Sequence, residues 1–199
     1  MKIGIDVDGV LTDIEKFQLF YGKKFFKNKY DMEVKNPTAY DIKQIFNCSD
    51  KQSKKFWSKY IWKYCIKQEM REYAKEEIDK LREDNDIYII TSRVYTTDNG
   101  IKGALFRGML KFWLRKNRFK YDKIFFCSEK NTSKEKLNIC LKEKVDILVD
   151  DNPDNLLLIK KEIPVICFSA TWNEMYSQLE CCRIKDFREL STMIDKIMG

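Results

Sequence analysis

Short apolar, often β-branched runs recur along the chain at residues 2–7 (KIGIDV), 87–90 (IYII), 123–126 (KIFF), 145–149 (VDILV) and 164–168 (PVICF), and helix-like stretches separate most of them. Runs this short and this apolar read as strands buried on both faces, and their alternation with helices implies βαβ crossovers. The fold class that follows is α/β: a Rossmann-like core with a parallel sheet and helices on both of its faces. Ligands of such sheets sit outside the carboxyl ends of the strands, so the residues that follow each run carry the functional argument.

Residues 14–83 lie between the first run and the second, far more than a simple crossover uses. The stretch is rich in Lys, Phe, Tyr and Trp, and within 51–68 it sets Phe56, Tyr60, Trp62 and Tyr64 at mostly helical spacings. We expect a mainly helical lobe over 14–83, broken near Pro37, whose final helix over about 69–83 returns to a core built from 1–13 and 84–199. The aromatic stripe either lines a pocket or packs the lobe together. A chain of 199 residues suits one core of ordinary size and one such insertion.

Three run ends carry chemistry. The first reads Asp6-Val7-Asp8-Gly9-Val10-Leu11-Thr12-Asp13. Two carboxylates two residues apart point to opposite sides of a continuing strand, so they serve one site only if the strand ends there, and Gly9 permits the turn. Asp6 is then the candidate nucleophile toward phosphorus, and Asp8 the candidate general acid/base. The second is Thr91-Ser92-Arg93, whose hydroxyls and amides are candidates to hold phosphoryl oxygens. Arg93 either contacts substrate or faces solvent. The third is Asp150-Asp151, where adjacent carboxylates repel one another unless a cation lies nearby; hard oxygen ligands of this kind suit magnesium. Lys130, Lys134 and Lys136 are the candidates for a lysine that offsets this negative charge.

Composition excludes several alternatives. There is no histidine, which removes His-dependent triads and imidazole metal ligands. The seven cysteines form no CxxC pair, and an odd count fits reduced, packed thiols. No apolar run approaches the ~20 residues that cross a bilayer, and the start of the chain reads as a strand rather than a signal peptide, so we expect a cytoplasmic protein. The net charge of +7 helps attract an anion but does not identify nucleic acid as a partner.

In combination, DVDGVLTD, a hydroxyl after the second strand, a lysine and then hydrophobic-Asp-Asp resemble the four ordered motifs of haloacid dehalogenase (HAD) superfamily phosphatases. The resemblance implies that Asp6 forms an aspartyl-phosphate and is itself a ligand of Mg²⁺, with Lys136 also binding the phosphate. It also implies that Asp8 acts as acid/base and offers its backbone carbonyl to Mg²⁺, that Asp151 ligates the metal with Asp150 supporting it, and that Thr91 and Ser92 bind phosphate. The stretch Lys136-Leu137-Asn138-Ile139-Cys140 before VDILVDD is similar to an element of the deoxyribonucleotidase-like group, which favours Lys136, with Lys130 second. The insertion resembles that group's small helical C1 cap. The implied activity is magnesium-dependent hydrolysis of a small phosphomonoester, with 5'-nucleotides foremost; sugar-phosphate hydrolysis, phosphoryl transfer and a non-catalytic binding protein of the same fold are the alternatives. The expected partner is a small phosphorylated metabolite rather than a nucleic-acid polymer or a membrane, and the expected state is a monomer or homodimer.

Overall fold

The computed structural model describes residues 1–176, 179 and 181–199. Its six strands are β1 (Lys2–Ile5), β2 (Asp86–Thr91), β3 (Lys123–Phe126), β4 (Ile147–Asp150), β5 (Val165–Phe168) and β6 (Cys182–Ile184). They form one sheet in the order β3-β2-β1-β4-β5-β6, and every neighbouring pair is parallel. The α/β core with a parallel sheet is thus as the sequence indicates. The sixth strand is not foreseen: Cys182-Arg183-Ile184 is too short and too polar at its centre to stand out as an apolar run.

Alternation along the strands sends successive side chains to opposite faces. Ile3, Ile5, Ile87, Ile89, Ile147 and Val149 pack on one face against α4 (Ala74–Leu81), α5 (Gly100–Lys116) and α9 (Leu190–Met198). Tyr88, Ile90, Leu148 and Val165 pack on the other, against α6 (Thr132–Glu143) and α7 (Pro153–Ile159). Strand order reverses its direction of growth at β1 and β4, and the crevice beyond their carboxyl ends is where an open sheet of this type binds ligands.

The insertion contributes α1 (Ile14–Tyr30), α2 (Ile42–Phe46) and α3 (Asp50–Lys67). Each starts at a residue suited to it: Asp13 accepts from the Lys16 amide at 2.9 Å, Asp41 from the Lys43 amide at 2.9 Å, and Ser49 forms a capping box with Gln52. The three helices share an aromatic cluster of Phe17, Phe25, Phe26, Phe46, Phe56 and Tyr60. Within the stripe on α3, Phe56, Tyr60 and Tyr64 are buried, so packing is their first role, whereas Trp62 is 48% exposed against Phe106. The opposite side of α3 docks on α5 through Ile61, Cys65, Phe106 and Met109.

The returning helix is shorter than expected, running over Ala74–Leu81 rather than about 69–83. Residues 69–73 instead form a non-helical return path that ends in a turn: the Arg71 amide donates to the Leu11 carbonyl at 2.9 Å, Met70 bridges Thr12, and Tyr73 takes a left-handed conformation (φ 61°) that no helix continues through. All seven cysteines are free thiols, five of them buried. Among the described residues, no helix is long and apolar enough to cross a membrane.

Candidate active site

The chain leaves β1 at Ile5, and the Asp6 amide still donates to the Val149 carbonyl (3.0 Å), holding Asp6 at the sheet's carboxyl edge. The loop then closes on itself: the Thr12 amide donates to the Val7 carbonyl (2.9 Å) and the Gly9 amide to the Thr12 carbonyl (3.1 Å). Gly9 sits at φ 95°, and a Cβ there would collide with the Asp151 carboxylate, so both the turn and the closeness of β4 require glycine.

Asp6, Asp150 and Asp151 bring ligating oxygens within 4.8 Å of one another, all buried. Lys136, wholly buried, reaches in from α6: its Nζ lies 2.6 Å from Asp150 Oδ2 and 3.0 Å from Asp6 Oδ1. Burial opposes its charge, but Asp150 and Asp6 outweigh it and hold the lysine above its ordinary range. Lys130 and Lys134 are exposed, so of the three candidates the structure brings only Lys136 to the carboxylates.

The two adjacent aspartates differ in environment. Asp150 is saturated by the protein: besides Lys136 it accepts from the Asn152 amide at 2.8 Å and from Asn155 Nδ2 at 3.1 Å on both oxygens. Asp151 Oδ2 is buried without a hydrogen-bond partner, whereas Asp6 Oδ1 has the Lys136 ammonium at 3.0 Å, which it shares with Asp150. Burial, reinforced by the neighbouring carboxylates, holds Asp151 well above the ordinary range. Three buried carboxylates against one lysine, with an unpartnered oxygen on Asp151, are a donor set that suits a hard divalent cation.

The Asp8 carboxylate turns away from this cluster. Arg93 Nε lies 3.0 and 3.2 Å from its two oxygens, Arg93 Nη2 also donates to Oδ1, and the Tyr64 hydroxyl donates to Oδ1 at 2.6 Å. Arg93 is therefore not a solvent-facing residue, one of the two expectations for it; it is 2% exposed and ion-paired to Asp8. Thr91 is fully buried, and its hydroxyl accepts from the Arg93 amide (3.3 Å), while Ser92 lies on the wall of the cleft. That cleft, about 480 Å³, is floored by Asp6 and Asp8 and walled by Gln18, Tyr40, Trp57 and Tyr64 from the insertion. Of the aromatic stripe expected either to line a pocket or to pack the lobe, Tyr64 does both, whereas Gln18, Tyr40 and Trp57 are cleft residues that the sequence pattern did not single out.

Comparison with known proteins agrees with this architecture. The profile of the family described as "5' nucleotidase, deoxy (Pyrimidine), cytosolic type C protein" matches residues 1–198. A nucleotidase of Clostridium acetobutylicum is 26% identical over 198 residues, spanning 99% of this chain and 95% of that protein. Among solved structures, a haloacid dehalogenase-like protein of unknown function from Agrobacterium tumefaciens superposes with a TM-score of 0.71 at 14% identity, covering 100% of this chain and 99% of the other. A haloacid dehalogenase-like hydrolase from Streptococcus pneumoniae gives 0.66 at 12% identity, covering 96% of each. These structures share the fold. With a match over nearly its whole length, this chain belongs to the 5'-nucleotidase, deoxy (pyrimidine), cytosolic type C family.

Proposed function

We propose that the protein is a magnesium-dependent phosphatase of small phosphomonoesters, with deoxynucleoside 5'-monophosphates as its preferred substrates. The observation that carries the reading is the buried cluster of Asp6, Asp150 and Asp151 with one lysine among them and an unpartnered oxygen on Asp151, set where Asp6 meets a cleft large enough for a nucleotide. Asp6, Asp151 and the backbone carbonyl of Asp8 would hold the cation, which when bound supplies positive charge to phosphoryl oxygens that the protein's own groups do not balance. Asp6 attacks phosphorus as its bond to the leaving oxygen breaks, giving an aspartyl-phosphate. Asp8 gives the leaving oxygen its proton, then takes one from the water that releases phosphate. Lys136 keeps the Asp6 carboxylate oriented and offsets its charge against Asp150. Ser92, with the amides that follow Thr91, binds the phosphoryl group. Residues 14–83 act as a cap that excludes water and supplies contacts beyond the phosphate. The nucleotide preference is supported by the family match and by the nucleotidase relative.

The test is phosphate release from a panel of deoxynucleotides, ribonucleotides and sugar phosphates with Mg²⁺. Wild type should turn over deoxynucleoside monophosphates best, and Asp6→Asn should release no phosphate above background. Equal release by wild type and Asp6→Asn would overturn the mechanism; a sugar phosphate at the head of the ranking would overturn the substrate class.

A further inference from the structure

The two oxygens of Asp8 are not equivalent. Oδ1 accepts from the Tyr64 hydroxyl at 2.6 Å, from Arg93 Nε at 3.0 Å and from Arg93 Nη2; Oδ2 has a single longer contact, 3.2 Å to Arg93 Nε. Tyr64 is 3% exposed, and its hydroxyl is in turn 2.8 Å from Thr12 Oγ1 in the loop that carries Asp8. A hydroxyl has one hydrogen, and a carboxylate accepts only, so the Tyr64 hydrogen goes to Asp8. The Thr12 hydroxyl faces two acceptors, the Tyr64 oxygen at 2.8 Å and the Val7 carbonyl at 3.2 Å, and so ties Tyr64 to the loop that carries Asp8. Arg93 lies 5.2 Å over the Tyr64 ring, which fixes the two donors relative to one another. Asp8, Thr12 and Arg93 belong to the core, whereas Tyr64 belongs to α3 of the insertion.

We propose that Tyr64 is a positioning residue for Asp8: with Arg93 it pins Oδ1, leaves Oδ2 as the oxygen that exchanges protons with the leaving group and water, and so completes acid/base alignment only when the insertion is seated. The inference rests on the reading of Asp8 as the acid/base. In the first step the Oδ2 proton passes to the leaving oxygen, which keeps the electron pair of the broken P–O bond while Asp6 bonds to phosphorus. In the second step Oδ2 takes a proton from the attacking water, and the electrons of the Asp6–phosphorus bond return to Asp6. A carboxyl free to rotate about its Cβ–Cγ bond presents Oδ2 to the leaving oxygen for a smaller fraction of the time, and the loss falls on reactions that need protonation.

The measurement is kcat and KM of Tyr64→Phe and Arg93→Lys on p-nitrophenyl phosphate, whose leaving group departs without a proton, and on a deoxynucleoside monophosphate, whose alkoxide does not. Tyr64→Phe should lower kcat on the nucleotide by about tenfold, and lower kcat on the aryl phosphate by distinctly less, with the two KM values changed alike. Arg93→Lys, which keeps the charge but loses the two-pronged donor, should show the same split. Equal kcat loss on both substrates, or an effect confined to KM, overturns the positioning role. Asp8→Asn separates the two readings: if it shows the leaving-group bias and Tyr64→Phe does not, only this inference falls, whereas an unbiased Asp8→Asn removes the acid/base assignment beneath it.

Discussion

Lys136 is the residue on which the site's electrostatics turn. Its ammonium is the only cation in contact with both Asp6 and Asp150 among the described residues, and all three groups are buried. Removing one partner of such a pair leaves charge uncompensated in a poorly solvated interior. Lys136→Met should therefore destabilise the fold by ~3–5 kcal/mol in urea titrations, besides abolishing phosphate release. A change under about 1 kcal/mol would mean that the carboxylates take up protons at little cost. The choice of Lys136 over Lys130 was legible in the sequence only through resemblance to a family motif; spacing alone left three lysines open, and burial is what separates them. Arg93 was less legible still. Its partner Asp8 is 85 positions away, and nothing in Thr91-Ser92-Arg93 reveals that the backbone of β2 aims the guanidinium at a loop leaving β1.

At the scale of elements, apolar runs marked β1, β2, β4 and β5 because a strand buried on both faces has no room for polar alternation, and β3, a half-buried edge strand, showed only through its Ile124-Phe125-Phe126. β6 escaped that test as a short edge strand, paired only with β5, whose central residue is Arg183. The early end of β1, at Ile5 rather than residue 7, follows from the loop bonds of Val7 and Thr12, which no hydrophobicity pattern encodes. Helical spacing on α3 correctly set Phe56, Tyr60 and Tyr64 on one face, but placed Trp62 with them, and Trp62 lies half in solvent. The difference is measurable. Phe56→Ala should cost ~3–5 kcal/mol, since it empties the centre of the aromatic cluster, whereas Trp62→Ala should cost about 1 kcal/mol or less. Comparable urea midpoints for the two variants would show that α3 buries a different face in solution.

For the molecule as a whole, the carboxylate cluster links folding to pH and to the cation. The Asp6 carboxyl is pushed up from 3.8 to about 7, chiefly by burial, with Asp150 and Asp8 adding to the rise and Lys136 opposing it. A carboxyl that holds its proton more tightly when folded contributes stability that is fully present below 3.8 and is lost as pH rises through about 7. Metal-free protein should thus lose this contribution between those limits, even while surface carboxylates such as Asp122, held low by Arg82, gain theirs at the acid end of the range. Asp6→Asn isolates the effect because an amide does not titrate: in EDTA, the variant's thermal midpoint should rise relative to wild type as pH goes from about 5 to about 8. Magnesium competes with the proton for the same oxygens, so it should stabilise wild type most at the alkaline end. The expected gain there is roughly 5–10 °C at saturating metal, with much less for the variant. Parallel melting curves for the two proteins across that range, with and without Mg²⁺, would mean that the cluster of Asp6, Asp150 and Asp151 neither stores protons nor takes a cation, and the site would need another explanation for the buried, unpartnered oxygen of Asp151.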